Sequence, residues 1–155
     1  MKKIVVLVLV LLMAAGASAF ATKGAGWAFG LEGQFGYGYG GMGGGGALVL
    51  HTPYVPLHFG LNFSFPFYLG ITADYWLMHQ NLAGMFDWYL GVGGYVGLPD
   101  PIALGVRVPI GLQAWILGNE KLEVFLEVAP AIGVKFTNDL LFWNVQGALG
   151  FRYWL

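Results

Sequence analysis

The chain has 155 residues, of which 57% are hydrophobic, 17% aromatic and only 10% charged, with 26 glycines and no cysteine. Soluble domains carry about 25% charged residues, so this chain cannot cover a water-facing surface in the usual way, and the absence of cysteine excludes disulfide frameworks, thiolate metal sites and a lipid-modified N-terminal cysteine. A formal net charge of −1 offers no electrostatic footprint for nucleic acid.

The first predicted element is a targeting signal. Lys2 and Lys3 form a positive start, residues 4–13 are an unbroken apolar run, and Ala17-Ser18-Ala19 places small residues where a signal peptidase reads them. A membrane-spanning helix would need ~20 apolar residues, more than the run supplies. Cleavage after Ala19 leaves 136 residues, in which five Lys and Arg face eight Asp and Glu for a net charge of −3. Ala19-Phe20-Ala21 is an alternative cleavage site of the same form. The chain is thus divided into a signal peptide, 1–19, and one domain, 20–155.

Beyond the signal the apolar residues recur with a period of two, the signature of strands whose successive side chains point to opposite faces. In 27–39, Trp27, Phe29, Leu31, Phe35, Tyr37 and Tyr39 alternate with Glu32, Gln34 and glycines. A glycine-rich loop at 40–46 leads to a strand at 46–52, and Thr52-Pro53-Tyr54-Val55-Pro56 separates it from a strand at 57–64. After a break at Ser64-Phe65-Pro66, strand 67–78 sets Leu69, Ile71, Ala73, Tyr75 and Leu77 against Gly70, Thr72, Asp74 and Trp76. A turn at 80–84 precedes strand 85–98, whose polar face carries Asp87, Tyr89, Tyr95 and glycines. Pro99-Asp100-Pro101, Gly118-Asn119-Glu120 and Thr137-Asn138-Asp139 then separate strands 102–117, 121–136 and 140–155. Gly, Pro, Asn and Asp form turns for distinct backbone reasons, and seven such breaks make eight strands.

One face of these strands is bulky and apolar, and the other is crowded with glycine. A narrow barrel has little interior room, so the glycines belong inside. Eight of the thirteen charges after the signal lie within strands: Glu32, Asp74, Asp87, Arg107, Glu123, Glu127, Lys135 and Arg152. All eight fall on the glycine-rich face and none on the apolar one, as a cost of about 2–4 kcal/mol for a lipid-facing charge would enforce. Unpaired backbone is intolerable in lipid, so the sheet must close. The expectation is an all-β, eight-stranded, antiparallel up-and-down transmembrane β-barrel in a bacterial outer membrane, reached by export across the inner membrane. Trp27, Trp76, Trp88, Trp115, Tyr153 and Trp154 then gather at one rim, where aromatic belts sit; Trp76, Trp115 and Trp154 have inward parity and suit a plug as well. Pro109 and Pro130 fall inside strands, where each should mark a bulge or a lost ladder bond.

Several segments resemble a family of small, uncharacterised outer-membrane β-barrel proteins of diderm bacteria: 87–95 (DWYLGVGGY), 105–112 (GVRVPIGL), 123–130 (EVFLEVAP) and 150–154 (GFRYW). The resemblance implies this fold and location and carries no activity. The last strand is similar to the C-terminal signal read by the barrel-assembly machinery, with Gly150, Tyr153 and Leu155 at its spacing, although the terminal residue is commonly Phe.

Candidate chemistry is sparse. Residues 38–43 match G-x-G-x-x-G, but a dinucleotide site also needs a following helix in a βαβ unit. The domain's one serine, Ser64, shares parity with His58, but six residues in a strand separate them by about 20 Å. His51 and His58 are two ligands at most, too few for a closed metal site. No catalytic, cofactor or metal residue is therefore expected. The interior of an eight-stranded barrel is just wide enough for side chains to fill it. The expectation is a packed polar cluster of Glu32, Asp74, Asp87, Arg107, Glu123, Glu127 and Arg152, with Glu123 opposite Arg152 in a bidentate pair and Arg107 reaching across Gly91 and Gly93. A structural or interaction barrel is preferred to a narrow pore or ligand barrel, a lipid-modifying hydrolase and a soluble lipocalin-like carrier. Its expected partners are outer-membrane lipid and the barrel-assembly machinery.

Overall fold

A computed structural model describes residues 26–37, 44–54, 57–64, 68–98, 102–116, 120–136 and 141–155. The expected signal peptide, 1–19, and most of the glycine loop lie outside the described residues. The strands are β1 (Ala28–Tyr37), β2 (Gly45–His51), β3 (Leu57–Ser64), β4 (Tyr68–Ala83), β5 (Phe86–Leu98), β6 (Ala103–Arg107), β7 (Ile110–Trp115), β8 (Leu122–Lys135) and β9 (Leu141–Trp154). All pairings are antiparallel. β1 to β5 pair in series, β6 and β7 lie end to end between β5 and β8, and β8 pairs with β9. β9 returns to β1, from Ala28↔Trp154 to Tyr37↔Val145, so the sheet closes into a ring. Closure leaves no edge to pair with another chain.

The described strands number nine, against the eight expected, because the predicted strand 102–117 is interrupted at Val108-Pro109. The cause is two missing donors. Gly91 N–H donates to Pro109 O (2.8 Å) and Val108 N–H donates to Pro130 O (3.0 Å). A hydrogen-bonded antiparallel pair exchanges two bonds, and the reciprocal donors here are Pro109 and Pro130, which have no N–H. Neither proline makes a bulge. Arg107↔Ala131 and Ile110↔Val128 keep one register across the break. Parity therefore persists to Lys135, whose Nζ lies 5.3 Å over the Phe142 ring.

Bulges occur instead in β4. Its register against β5 slips between Trp76 and Met78 and again between Asn81 and Ala83. β4 thus continues to Ala83, through residues 80–83 that were expected to turn. The hairpin closes on Gly84-Met85, with Gly84 at φ +57° in the first central position, where a type II′ turn needs a positive φ. The first slip exchanges faces, so that Trp76 and His79 both point inward and are buried.

The ring is apolar outside and polar inside. Phe29, Leu31, Leu48, Leu61, Ile71, Leu112, Leu126, Leu149 and Phe151 are exposed along the outer face. Phe35 lies over Gly147 across the β1–β9 seam and fills the space a side chain would take. The interior glycines admit long side chains from neighbouring strands. Tyr89 crosses Gly111 and Asp74 lies over Gly93.

Candidate functional site

The candidate site is the packed interior. At the end where β1 begins and β9 finishes, Glu123 is completely buried. Its Oε1 accepts from Arg152 (2.5 Å) and Gln113 (2.8 Å), and its Oε2 from Trp154 Nε1 (2.8 Å). Glu123 and Arg152 are direct register partners. The expected bidentate pair does not form: Arg152 donates to Oε1, and Trp154 donates to Oε2. The Arg152 guanidinium instead lies 3.8 Å over the Phe125 ring. Asp87 is a second hub, accepting from Trp115 Nε1 and Asn81 Nδ2 at 2.6 Å each, with His79 Nε2 at 3.6 Å.

At mid-height Arg107 joins three strands. It is ion-paired to Glu127 on β8 and to Asp74 on β4 (3.2 Å), and donates to Gln146 on β9 (2.9 Å). The contact with Asp74 crosses Gly93, the register partner of both residues. Tyr89 O–H donates to the other Glu127 oxygen at 2.5 Å. Glu32 accepts from Gln34 (2.6 Å), which also donates to Asn62 (2.5 Å). Toward the far end the packing turns apolar, with Tyr95, Ala103, Ala131 and Phe142 in one buried cluster.

Aromatic rings bridge the layers. His51 and His58 face each other at 4.4 Å, His58 stacks on Trp76 at 3.6 Å, and Trp76 stacks on Tyr89 at 4.2 Å. Trp154 lies 5.1 Å from His51 and 5.9 Å from Trp115. Among the described residues the interior is closely packed. A cavity bounded by Glu32, His58, Thr72, Asp74, Arg107, Glu127 and Arg152 measures about 10 Å³, and one beside Gln34, Gln146 and Ala148 is the same size. A single water needs roughly that much room.

All seven residues of the expected polar cluster face inward, but they divide. Asp74, Arg107 and Glu127 form one ionic group, Glu123 and Arg152 a second, Asp87 bonds to neutral donors, and Glu32 sits with Gln34. Sequence reasoning missed Asn62, Gln113, Gln146 and the indole donors as members of these networks, and the role of His58. Inward parity was the signal available for them. Gly150 lies inside against Glu32 and Phe125, whereas Tyr153 and Leu155 are exposed. Ser64 ends β3 at the height of Gly45 and Tyr68, while His58 lies at the level of His51 and Asp74. Among the described residues no three His, Cys, Asp or Glu side chains are placed to share a metal ion.

No protein-family model and no curated protein matches this sequence. Its structure is similar to that of Neisserial surface protein A, an outer-membrane β-barrel, with a TM-score of 0.55 and 11% identity over 83% of this chain and 96% of that one. The chain has the fold of an outer-membrane β-barrel. Among the described residues, the ionic groups and the ring contacts lie inside that fold.

Proposed function

We propose that this is an eight-stranded transmembrane barrel of the bacterial outer membrane, exported by a signal peptide at 1–19, with a structural or interaction role and no catalytic activity. The count of eight takes β6 and β7 as the halves of one strand broken by Val108-Pro109. The observation that carries the reading is the inverted surface. Among the described residues every strand charge faces inward, and the outer face is a continuous apolar band. Outer-membrane lipid is the partner that such a band fits. The barrel-assembly machinery is the proposed reader of Gly150, Tyr153 and Leu155 in the last strand. Water-sized cavities favour a filled barrel over a pore or ligand carrier, and the separation of His58 from Ser64 along β3 disfavours a hydrolase.

The test has two readouts. The protein should fractionate with outer membranes, require detergent, and migrate differently on gels with and without boiling. Reconstituted in a planar bilayer, it should give no stable conductance. Recovery in the soluble periplasm would remove the membrane reading, and a reproducible ion-selective channel would replace the filled barrel with a pore.

A further inference from the structure

Four rings in contact form one line across the interior, from β2 through β3 and β4 to β5, with His51 tilted by 36° against His58 and the other two contacts stacked. It begins at two imidazoles and ends at Tyr89, whose hydroxyl donates to Glu127, the partner of Arg107. We propose that this line is an acid-sensitive latch: a proton taken up by the His51–His58 pair breaks the stack and loosens the Arg107 network to which it is joined. The inference rests on the packing of the closed ring and does not depend on the membrane reading.

The geometry supplies the reasons. His51 and His58 are register partners with ring centroids 4.4 Å apart, so two charged rings would repel at contact distance. An imidazolium has two N–H donors to satisfy. The Nδ1 of His51 lies 2.8 Å from Gly26 O. His58 is 7% exposed, and its Nδ1 has no hydrogen-bond partner. Its ring is nearly parallel to Trp76, with 16° between planes. A proton at Nδ1 of His58 therefore has no protein acceptor among the described residues in this ring position.

The surrounding charges direct that movement. Facing the pair are Glu32 from β1, Asp74 and His79 from β4, Arg107 from β6, Glu123 and Glu127 from β8, and Arg152 from β9. Arg152 opposes a second cation, its guanidinium lying 5.5 Å over Trp76. Glu123 is held by Arg152, Glu127 by Arg107 and Tyr89, and Glu32 by Gln34. Asp74 is the register partner of His58 and is paired to Arg107 through one contact of 3.2 Å. A charged His58 thus competes with Arg107 for Asp74, which couples the rings to the ion pairs. His79 differs, because Asp87 stands 3.6 Å from its Nε2 and accommodates a charge.

The experiment follows tryptophan emission and acrylamide quenching of the folded protein in detergent from pH ~8 to ~3.5, through and below the range in which a free imidazole takes its proton. Unboiled gels at each pH verify that the protein stays folded. Wild type should show a reversible rise in quenching on acidification. His58→Phe, which keeps a ring against Trp76 but cannot be protonated, should abolish it, and His79→Gln should retain it. The same transition in His58→Phe, or none in wild type, overturns the latch. Should His58→Phe not fold, NMR of the wild-type His58 ring decides: its titration must coincide with the fluorescence change, and a titration at another pH overturns the proposal.

Discussion

Glu123 has no exposed surface and three donors on two oxygens, while Arg152 keeps an Nε with no partner. A buried ion pair costs desolvation on both sides, and its geometry must offset that cost. Removal of one member leaves an uncompensated charge, at about 3–5 kcal/mol. The two single substitutions should not be equal. Arg152→Ala leaves a carboxylate that still accepts from Gln113 and Trp154. Glu123→Ala leaves a guanidinium against Phe125 and strips Gln113 and Trp154 of their acceptor as well. The expected order is Glu123→Ala worse than Arg152→Ala, with the double variant losing clearly less than the two added together. Urea unfolding read by gel mobility measures all three. Additive losses would mean that the two side chains do not interact in the folded barrel.

Between strands, the recurring device is a glycine that lets side chains from the flanking strands meet over it. Asp74 and Arg107 meet over Gly93, and Tyr89 reaches Glu127 over Gly111. A Cβ at Gly93 would lie 1.8 Å from Asp74 Oδ1 and 2.7 Å from the backbone oxygen of Ala73, whereas one at Gly94 meets nothing closer than 3.5 Å. Gly93→Ala should therefore destabilise the barrel by about 1–3 kcal/mol, the range for overpacking. Gly94→Ala, on the opposite face, should be near neutral in the same urea titration. Equal effects would show that the interior does not need the space at Gly93. The alternation that assigns these faces was legible in the sequence, since each strand charge sits on the glycine side. So was the register of the last hairpin, because its turn near Asn138 makes Glu123 and Arg152 opposite each other. The slips in β4 were not legible: Leu77 and Leu82 are ordinary strand residues, and no Gly or Pro marks either one. His79 lies just past the predicted strand end at 78, and it is the first slip that turns it toward Asp87. The prolines were legible as a bulge or a lost ladder bond, and the structure takes the second course, because a missing N–H interrupts a strand without adding a residue. Which inward side chains meet depends on how the ring closes, and alternation along single strands does not encode that.

For the whole molecule the decisive property is that its surface is inside out, with glycine, ion pairs and stacked rings within and large apolar side chains without. Phe35, Val128 and Ile110 lie side by side on the outer face, with Val128 midway along β8 and partnered by Ile110 and by Gly147, which Phe35 covers. In water such a belt would drive aggregation, and an arginine within it would cost little, since exposed substitutions usually stay within about 0.5 kcal/mol. In a bilayer the same arginine must snorkel or thin the membrane, at about 2–4 kcal/mol near the midplane. Val128→Arg therefore distinguishes the two environments with one substitution that leaves the interior untouched. In lipid vesicles it should lower the unfolding free energy by that amount relative to wild type, while Lys121→Glu, at an exposed position outside the strands, should change it little. Folding competence of both variants can be verified beforehand by gel mobility in detergent. If Val128→Arg is as stable as wild type in vesicles, the outer face of β8 does not meet lipid.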